Sequence, residues 1–255
     1  MQLSLPTLLW LILVAFVAGI VDAIAGGGGL ITVPALLAAG LDPHFALGTN
    51  KGQAIFGSFA SVFRFARAGF VNPTRAKVTF PLGALGALAG AALLLVLDRN
   101  VLKPLILGLL VAAGAFVAIK RPGNTPSGPV PSRPLLIAGL IAVSIGAYDG
   151  FFGPGTGTFL IIAFVSLLRE SLPNATGDAK VVNFASGLAT VILMGIAGKV
   201  VWAIAIPMAA GQFLGGLVGA SIAIKGGAPI IRGVVLSVVA GLVAKLAFDL
   251  LTQGP

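Results

Sequence analysis

Long apolar stretches separated by short polar ones dominate the pattern of this chain. A helix needs about 20 residues to cross the hydrocarbon core of a bilayer. Two apolar runs, Leu30–Ala39 and Thr158–Leu168, are too short for that. The pattern predicts an all-α integral membrane protein with about eight full transmembrane helices plus two short broken or re-entrant helices. The predicted full-length helices are Pro6–Ile24, Leu47–Ala66, Ala76–Leu97, Val101–Ile119, Pro134–Tyr148, Ala179–Ala197, Val200–Ile224 and Pro229–Leu251.

The composition supports this class. Hydrophobic residues make up 58% of the chain and charged residues 9%, which is too apolar a mixture for a water-soluble surface. The net charge of +9 comes mostly from loops between apolar segments, as expected of topogenic charge, so we expect no nucleic-acid partner. The absence of cysteine excludes disulfides, zinc–thiolate sites and iron–sulfur clusters. We expect no metal and no cofactor.

The chain divides into two halves of similar length. The segment 120–133 is rich in Pro, Gly and Ser and has no apolar periodicity, so we interpret it as a cytoplasmic linker. It separates a first transmembrane repeat, residues 1–119, from a second, residues 134–255. If each broken helix forms a hairpin with no net crossing, each half crosses the membrane an odd number of times, and the basic loops share one side. This predicts inverted repeats with both termini outside the cytoplasm.

A motif occurs once in each half, at corresponding positions. Asp22 stands four residues before the glycine run 26–29, and Asp149 stands four residues before Gly153. A lysine follows in each half, Lys51 and Lys180. The acids lie 127 positions apart (149 − 22) and the lysines 129 apart (180 − 51), so a small insertion separates the two anchors. The repetition indicates a task shared by the two halves.

The glycine motifs predict breaks in transmembrane helices. Four consecutive glycines line no single helix face and cost about 1 kcal/mol each relative to Ala, and a proline removes a backbone donor. The alternative is close helix packing, which we assign to other glycines spaced by three or four residues. A break frees backbone N–H groups at a helix N-terminus, where an anion can bind. The candidate anion ligands in the breaks are Gly26, Gly27, Gly28, Gly29, Gly153, Gly155, Thr156 and Thr158.

The polar side chains after the breaks have two interpretations each. Lys51 and Lys180 either contact the substrate or reach the headgroups at an interface. Asp22 and Asp149 either cap the freed backbone donors or bind a coupling proton. Neutral hydrogen bonds to the substrate are expected from Asn50, Gln53 and Asn183.

Three stretches resemble the sulfite exporter TauE/SafE family of membrane permeases. They are VDAIAGGGGLITVPALLAAGLDPHFALGTNKGQ, GAYDGFFGPGTGTFL and ATGDAKVVNFASGLATVILMGIAGKVVW. The resemblance implies a multi-pass permease of the inner membrane that carries small sulfur-containing anions such as sulfite, thiosulfate or sulfonates without a cofactor.

We therefore expect a secondary transporter that binds its anion near the bilayer midplane between broken-helix N-termini and lysines. No Gly-Lys-Ser/Thr phosphate loop is present, so the energy would come from an ion gradient, carried by a proton or a sodium ion. Membrane lipid is the other expected partner; the substrate's identity, the direction and the oligomeric state stay open. The alternatives are an intramembrane enzyme that uses the paired aspartates and a membrane scaffold that transports nothing.

Overall fold

The computed structural model describes residues 4–119 and 131–252 of the chain, and every regular element in these ranges is an α-helix. The helices are α1 (Leu5–Ala25), α2 (Gly29–Ala38), α3 (Pro43–Arg67), α4 (Pro73–Val96), α5 (Arg99–Ile119), α6 (Pro134–Phe151), α7 (Thr156–Leu168), α8 (Leu172–Ile196) and α9 (Trp202–Thr252). The prediction of an all-α protein is confirmed. Most of the predicted linker 120–133 lies outside the described residues.

Five helices in the described ranges are long and apolar enough to cross a membrane, by length and composition. They are α1, α4, α6, α8 and the first half of α9, Trp202–Gly226. The count is below the predicted eight. The helix α3 has 25 residues but is too polar to be counted, because it carries a lysine, two arginines and several amide and hydroxyl side chains. In α5, the described stretch Asn100–Ala113 is shorter than 18 residues, so this helix is not among the five.

The last helix differs from the prediction. The sequence predicts Val200–Ile224 and Pro229–Leu251 as separate helices, but the backbone is continuously helical from Trp202 to Thr252. A proline inside a helix costs about 3 kcal/mol, which surrounding contacts can offset. The dip in hydropathy around residues 225–229 therefore does not mark a helix end.

Both predicted helix breaks are confirmed. The helix α1 ends at Ala25, Gly26 takes a left-handed conformation with φ 77°, and α2 begins at Gly29. In the second half, Gly153 and Gly155 have φ values of 94° and 86° between α6 and α7. Residues other than glycine rarely adopt such angles, which explains the residue type at the breaks.

The two halves exchange helices. The first helix of each half packs on the fourth helix of the other, as α1 does on α9 and α6 on α4. A Cβ on Gly19 would lie 2.7 Å from the carbonyl oxygen of Gln212, and a Cβ on Gly146 would lie 2.5 Å from that of Gly83. These backbones approach so closely that only glycine fits. The central helices α3 and α8 pack against each other between these pairs.

Candidate functional site

The two helix breaks touch each other. A Cβ on Gly26 would lie only 2.3 Å from the carbonyl carbon of Gly157, so the two backbones are in direct contact. The backbone N–H of Thr158 donates to the Gly26 carbonyl at 3.1 Å, and its hydroxyl donates to the Ala25 carbonyl at 2.8 Å. Thr158 thus satisfies carbonyl groups at the C-terminus of α1, and this contact joins the breaks of both halves.

The lysines lie well inside their helices. Lys51 follows the first residue of α3 by eight positions (51 − 43), and Lys180 follows the first residue of α8 by eight (180 − 172). Lys51 is 7% exposed and Lys180 is fully buried. The sequence pattern predicts a helix that starts at Ala179, but α8 begins seven residues earlier, at Leu172 (179 − 172), so Thr176 and Asp178 lie in its early turns.

Each lysine pairs with the aspartate of the other half. Lys51 Nζ lies 2.7 Å from Asp149 Oδ1. Lys180 Nζ lies 3.5 Å from Asp22 Oδ2 and also donates to the Asp22 main-chain carbonyl. Two buried cations are thereby neutralised by two acids, as burial of charge requires. The repeated motif does not reveal that each lysine pairs with the aspartate of the other half. From the sequence, the acids and the lysines are assigned separate roles.

The aspartates hold further groups in place. Asp22 Oδ1 accepts a hydrogen bond from the Gly28 N–H at 3.3 Å, the contact that the capping interpretation anticipates. Asp149 Oδ2 accepts one from the Ser186 hydroxyl at 2.5 Å. Ser186 is absent from the predicted site, although its spacing from Lys180 and Asn183 by six and three residues places all three toward one side of α8.

A small cavity of about 50 Å³ lies between the two helix breaks and the helices α3 and α8. That space suits a few waters or one small anion. Predicted residues that line it are Asp22, Gly26, Gly29, Asn50, Lys51, Asp149, Gly153, Gly155, Thr156 and Asn183. Lining residues that were not predicted are Ala54, Ile55, Ser58, Gly157 and Gly187.

The other predicted ligands lie outside the cavity wall. Lys180 holds Asp22, and Gln53 donates through Nε2 to Asn50 Oδ1 at 3.1 Å. Gly27 and Gly28 belong to the turn between α1 and α2, and a Cβ on Gly28 would meet Asp22 Cβ at 2.8 Å. These residues, together with Thr158, position the wall from behind.

The cavity wall offers hydrogen-bond donors to a bound ligand. Asn50 Oδ1 accepts from Thr32 and Gln53, so its NH₂ group is left to donate elsewhere. Within residues 4–119 and 131–252, no protein acceptor takes the backbone N–H of Gly29 or Gly157. The Thr156 hydroxyl already donates to the Gly153 carbonyl at 2.6 Å. With the Lys51 ammonium, these groups form a donor-rich surface, beside the carboxylates of Asp22 and Asp149 that also line the cavity.

Comparison with known proteins gives matches over nearly the whole chain. The family described as Sulfite exporter TauE/SafE matches residues 11–246. A "Probable membrane transporter protein ORF9" from Sinorhizobium sp is 37% identical, across 97% of this chain and 95% of that protein. The "Probable membrane transporter protein YfcA" of Escherichia coli K12 is 36% identical, across 94% and 89%. A "Probable membrane transporter protein" of Haemophilus influenzae is 37% identical, across 98% of both chains. No solved structure gives a significant match.

Proposed function

Because the chain belongs to the sulfite exporter TauE/SafE family, we propose that it is a secondary transporter of a small sulfur-containing anion such as sulfite, thiosulfate or a sulfonate. The observation that carries the proposal is the cavity between the two helix breaks, which the Lys51 ammonium lines. The relatives of the chain are named as membrane transporters. The small size of the cavity favours an anion of a few atoms over a larger solute.

The anion exchanges places with Asp149. Lys51 already has a carboxylate partner at 2.7 Å, so an incoming oxyanion competes with that carboxylate for the ammonium. Backbone N–H groups at the starts of α2 and α7 add the partial positive charge of helix N-termini. Asp149 retains the Ser186 hydroxyl as a partner when the lysine turns to the substrate.

Inverted repeats provide the transport step. The reciprocal packing of α1 on α9 and α6 on α4 supports two halves related by a pseudo-two-fold axis in the membrane plane. Rocking of one half against the other would expose the central site to each side in turn. The basic loops favour a cytoplasmic linker and extracytoplasmic termini in an inner-membrane protein. For the C-terminus, this proposal requires the chain to turn back near residues 225–229, where α9 is a continuous helix.

The enzyme alternative has weaker support. Asp22 and Asp149 each pair with a lysine, so the two aspartates do not form an acid–base pair with each other. The family and the relatives carry transporter names. An enzyme would change its substrate chemically, whereas a transporter releases it unaltered.

Counterflow in proteoliposomes tests the proposal. Purified protein is assayed with sulfite, thiosulfate, sulfate, sulfoacetate and taurine, and the released compound is identified. We expect saturable exchange of at least one sulfur-containing anion, lost in Lys51→Met and kept in Lys225→Met, whose lysine is exposed on α9. No exchange of any of these compounds, or chemical conversion of one of them, would contradict the proposal.

A further inference from the structure

A buried ionic cluster lies away from the central cavity, at the end of the molecule where α3 and α7 finish and α4 and α8 begin. The Arg75 guanidinium donates through Nη1 to both Glu170 Oε1 and Asp178 Oδ2. Arg75 is 9% exposed and Asp178 is 2% exposed. The transport site described above uses none of these three residues.

The cluster ties the two halves together. Arg75 belongs to the first half, and both acids belong to the second. The backbone N–H of Asn72, just before α4, also donates to Asp178 Oδ1 at 2.8 Å. The cluster therefore closes this end of the molecule between the halves.

The opposite end has the same backbone contact. There the N–H of Val201, just before α9, donates to the Thr49 hydroxyl oxygen at 3.0 Å. Asn72 and Val201 lie 129 positions apart (201 − 72), and Thr49 and Asp178 lie 129 apart (178 − 49). The two ends are thus built on one repeated plan, with an acid at one end where the other has a hydroxyl.

The counterparts of the other two ionic residues are apolar. The same offset of 129 pairs Arg75 with Ile204 (204 − 75) and Glu170 with Leu41 (170 − 41). Leu41 and Ile204 are buried in one apolar cluster with Met208. At these positions, therefore, one end is closed by ion pairs and the other by apolar packing.

The ionic end holds one more acid than base. A single guanidinium faces two carboxylates, and Glu170 Oε2 is buried without a hydrogen-bond partner in the described protein. The pKa of Glu170 is raised, chiefly by burial and also by the Asp178 charge, although the Arg75 guanidinium acts to lower it. The nearby cations Lys77 and Arg169 are exposed and form no ion pair with the cluster.

We propose that Arg75, Glu170 and Asp178 form a proton-binding latch, in which one proton on Glu170 holds this end of the transporter closed. With that proton the cluster is neutral. Without it, a buried negative charge remains between the halves and favours their separation. The proposal rests on the transport function above, since a latch requires a cavity that opens.

The pH dependence has a definite sign. The closed state raises the pKa of Glu170 above that of a solvated glutamate, so the closed state binds the proton more tightly. Closure at this end is therefore favoured at low pH and lost as pH rises through the raised value.

Cysteine accessibility tests the latch without any transported anion. The chain has no native cysteine, so Ser58→Cys in the cavity wall provides a single reporter. An impermeant maleimide is applied from the latch side of oriented vesicles, and its rate of reaction with the reporter cysteine is measured. Thiol ionisation also speeds this reaction as pH rises, so the rate is divided by that of a cysteine placed at exposed Ala68 in a separate variant. We expect corrected labelling to rise with pH, by up to about tenfold for each unit of pKa difference between the two states.

Glu170→Gln mimics the protonated acid, so its labelling should stay slow and independent of pH. Asp98→Asn, at an exposed site away from the latch, should behave like the parent. The latch is refuted if the parent shows no pH dependence or if Glu170→Gln keeps it. Because labelling needs no substrate, a transport failure with intact pH-dependent labelling would overturn only the proposed function.

Discussion

At the residue scale, the site is organised by two lysine–aspartate pairs that cross between the halves. Lys51 pairs with Asp149 and Lys180 pairs with Asp22. The pairs are not equivalent in use, because Lys51 lines the cavity and Lys180 does not. In the proposed function the first pair exchanges with the substrate, whereas the second pair contacts the first helix break.

Substitutions of the cavity pair should have opposite effects on anion binding. Lys51→Met removes the ammonium, so affinity should fall by about 1–3 kcal/mol, the scale of a charge-assisted hydrogen bond. Asp149→Asn removes the competing carboxylate, so affinity should rise. Equilibrium binding of the transported anion in detergent measures both, with Lys225→Met as the matched control. Equal binding in all three variants would show that the helix breaks alone form the site.

The second pair should matter for stability. Lys180→Met leaves the Asp22 carboxylate without its cation, and breaking a buried pair costs about 3–5 kcal/mol. Asp22→Asn in the same chain should restore much of the loss, because no unpaired charge then remains. Thermal unfolding in detergent compares the single and double variants. If the double variant is no more stable than Lys180→Met, the pair contributes no charge compensation.

At the element scale, glycine permits both the breaks and their contact. Gly26 has a left-handed backbone and lies against Gly157. Gly155 is also left-handed, but a Cβ there would meet its nearest atom at 3.4 Å, an ordinary contact. Conformation alone constrains Gly155, whereas conformation and contact both constrain Gly26.

The two glycines should therefore differ in their tolerance of alanine. Gly26→Ala should separate the breaks and abolish anion binding, while Gly155→Ala should carry only the strain of its φ angle, about 1 kcal/mol. Gly108→Ala, in α5 with nothing within 4 Å of a Cβ, is the control. Binding and thermal unfolding are measured together. Wild-type binding by Gly26→Ala would mean that the contact between the breaks is dispensable.

At the scale of the whole molecule, the halves interlock rather than sit side by side. The outer helices α1 and α6 each pack on the other half, and α3 and α8 meet between them. Because the halves exchange helices in this way, residues of both halves line the central cavity. Movement of one half against the other must then change the cavity and both ends of the molecule together.

Inverted repeats predict the sidedness of the connections. Single cysteines at Ala68 and Ser132 should react from the cytoplasm, and one at Asp98 should react from the opposite side; all three positions are exposed. A reporter fused after Pro255 should lie outside the cytoplasm. Labelling of cysteines at Ala68 and Asp98 from the same side would rule out this topology. A reporter in the cytoplasm would show that the chain crosses the membrane once after α8, rather than twice as predicted.

Local sequence properties were sufficient for the class, the helix breaks and much of the cavity wall. Hydropathy identifies apolar helices because each residue contributes independently to transfer into a bilayer. Glycine and proline mark breaks because their backbone preferences do not depend on distant residues. Prediction from local properties placed the start of α8 too late, because tertiary contacts stabilise the polar residues there. It also predicted two helices where α9 is continuous.

Only the tertiary structure decided which charges meet. Lys51 and Asp149 are 98 positions apart (149 − 51), and their contact depends on how α3 of one half reaches α6 of the other. Periodicity assigns a residue to a helix face but does not say which helix covers that face. For the same reason the sequence showed a repeated motif, while packing turned its acids and lysines into crossed pairs and placed Arg75 between two carboxylates.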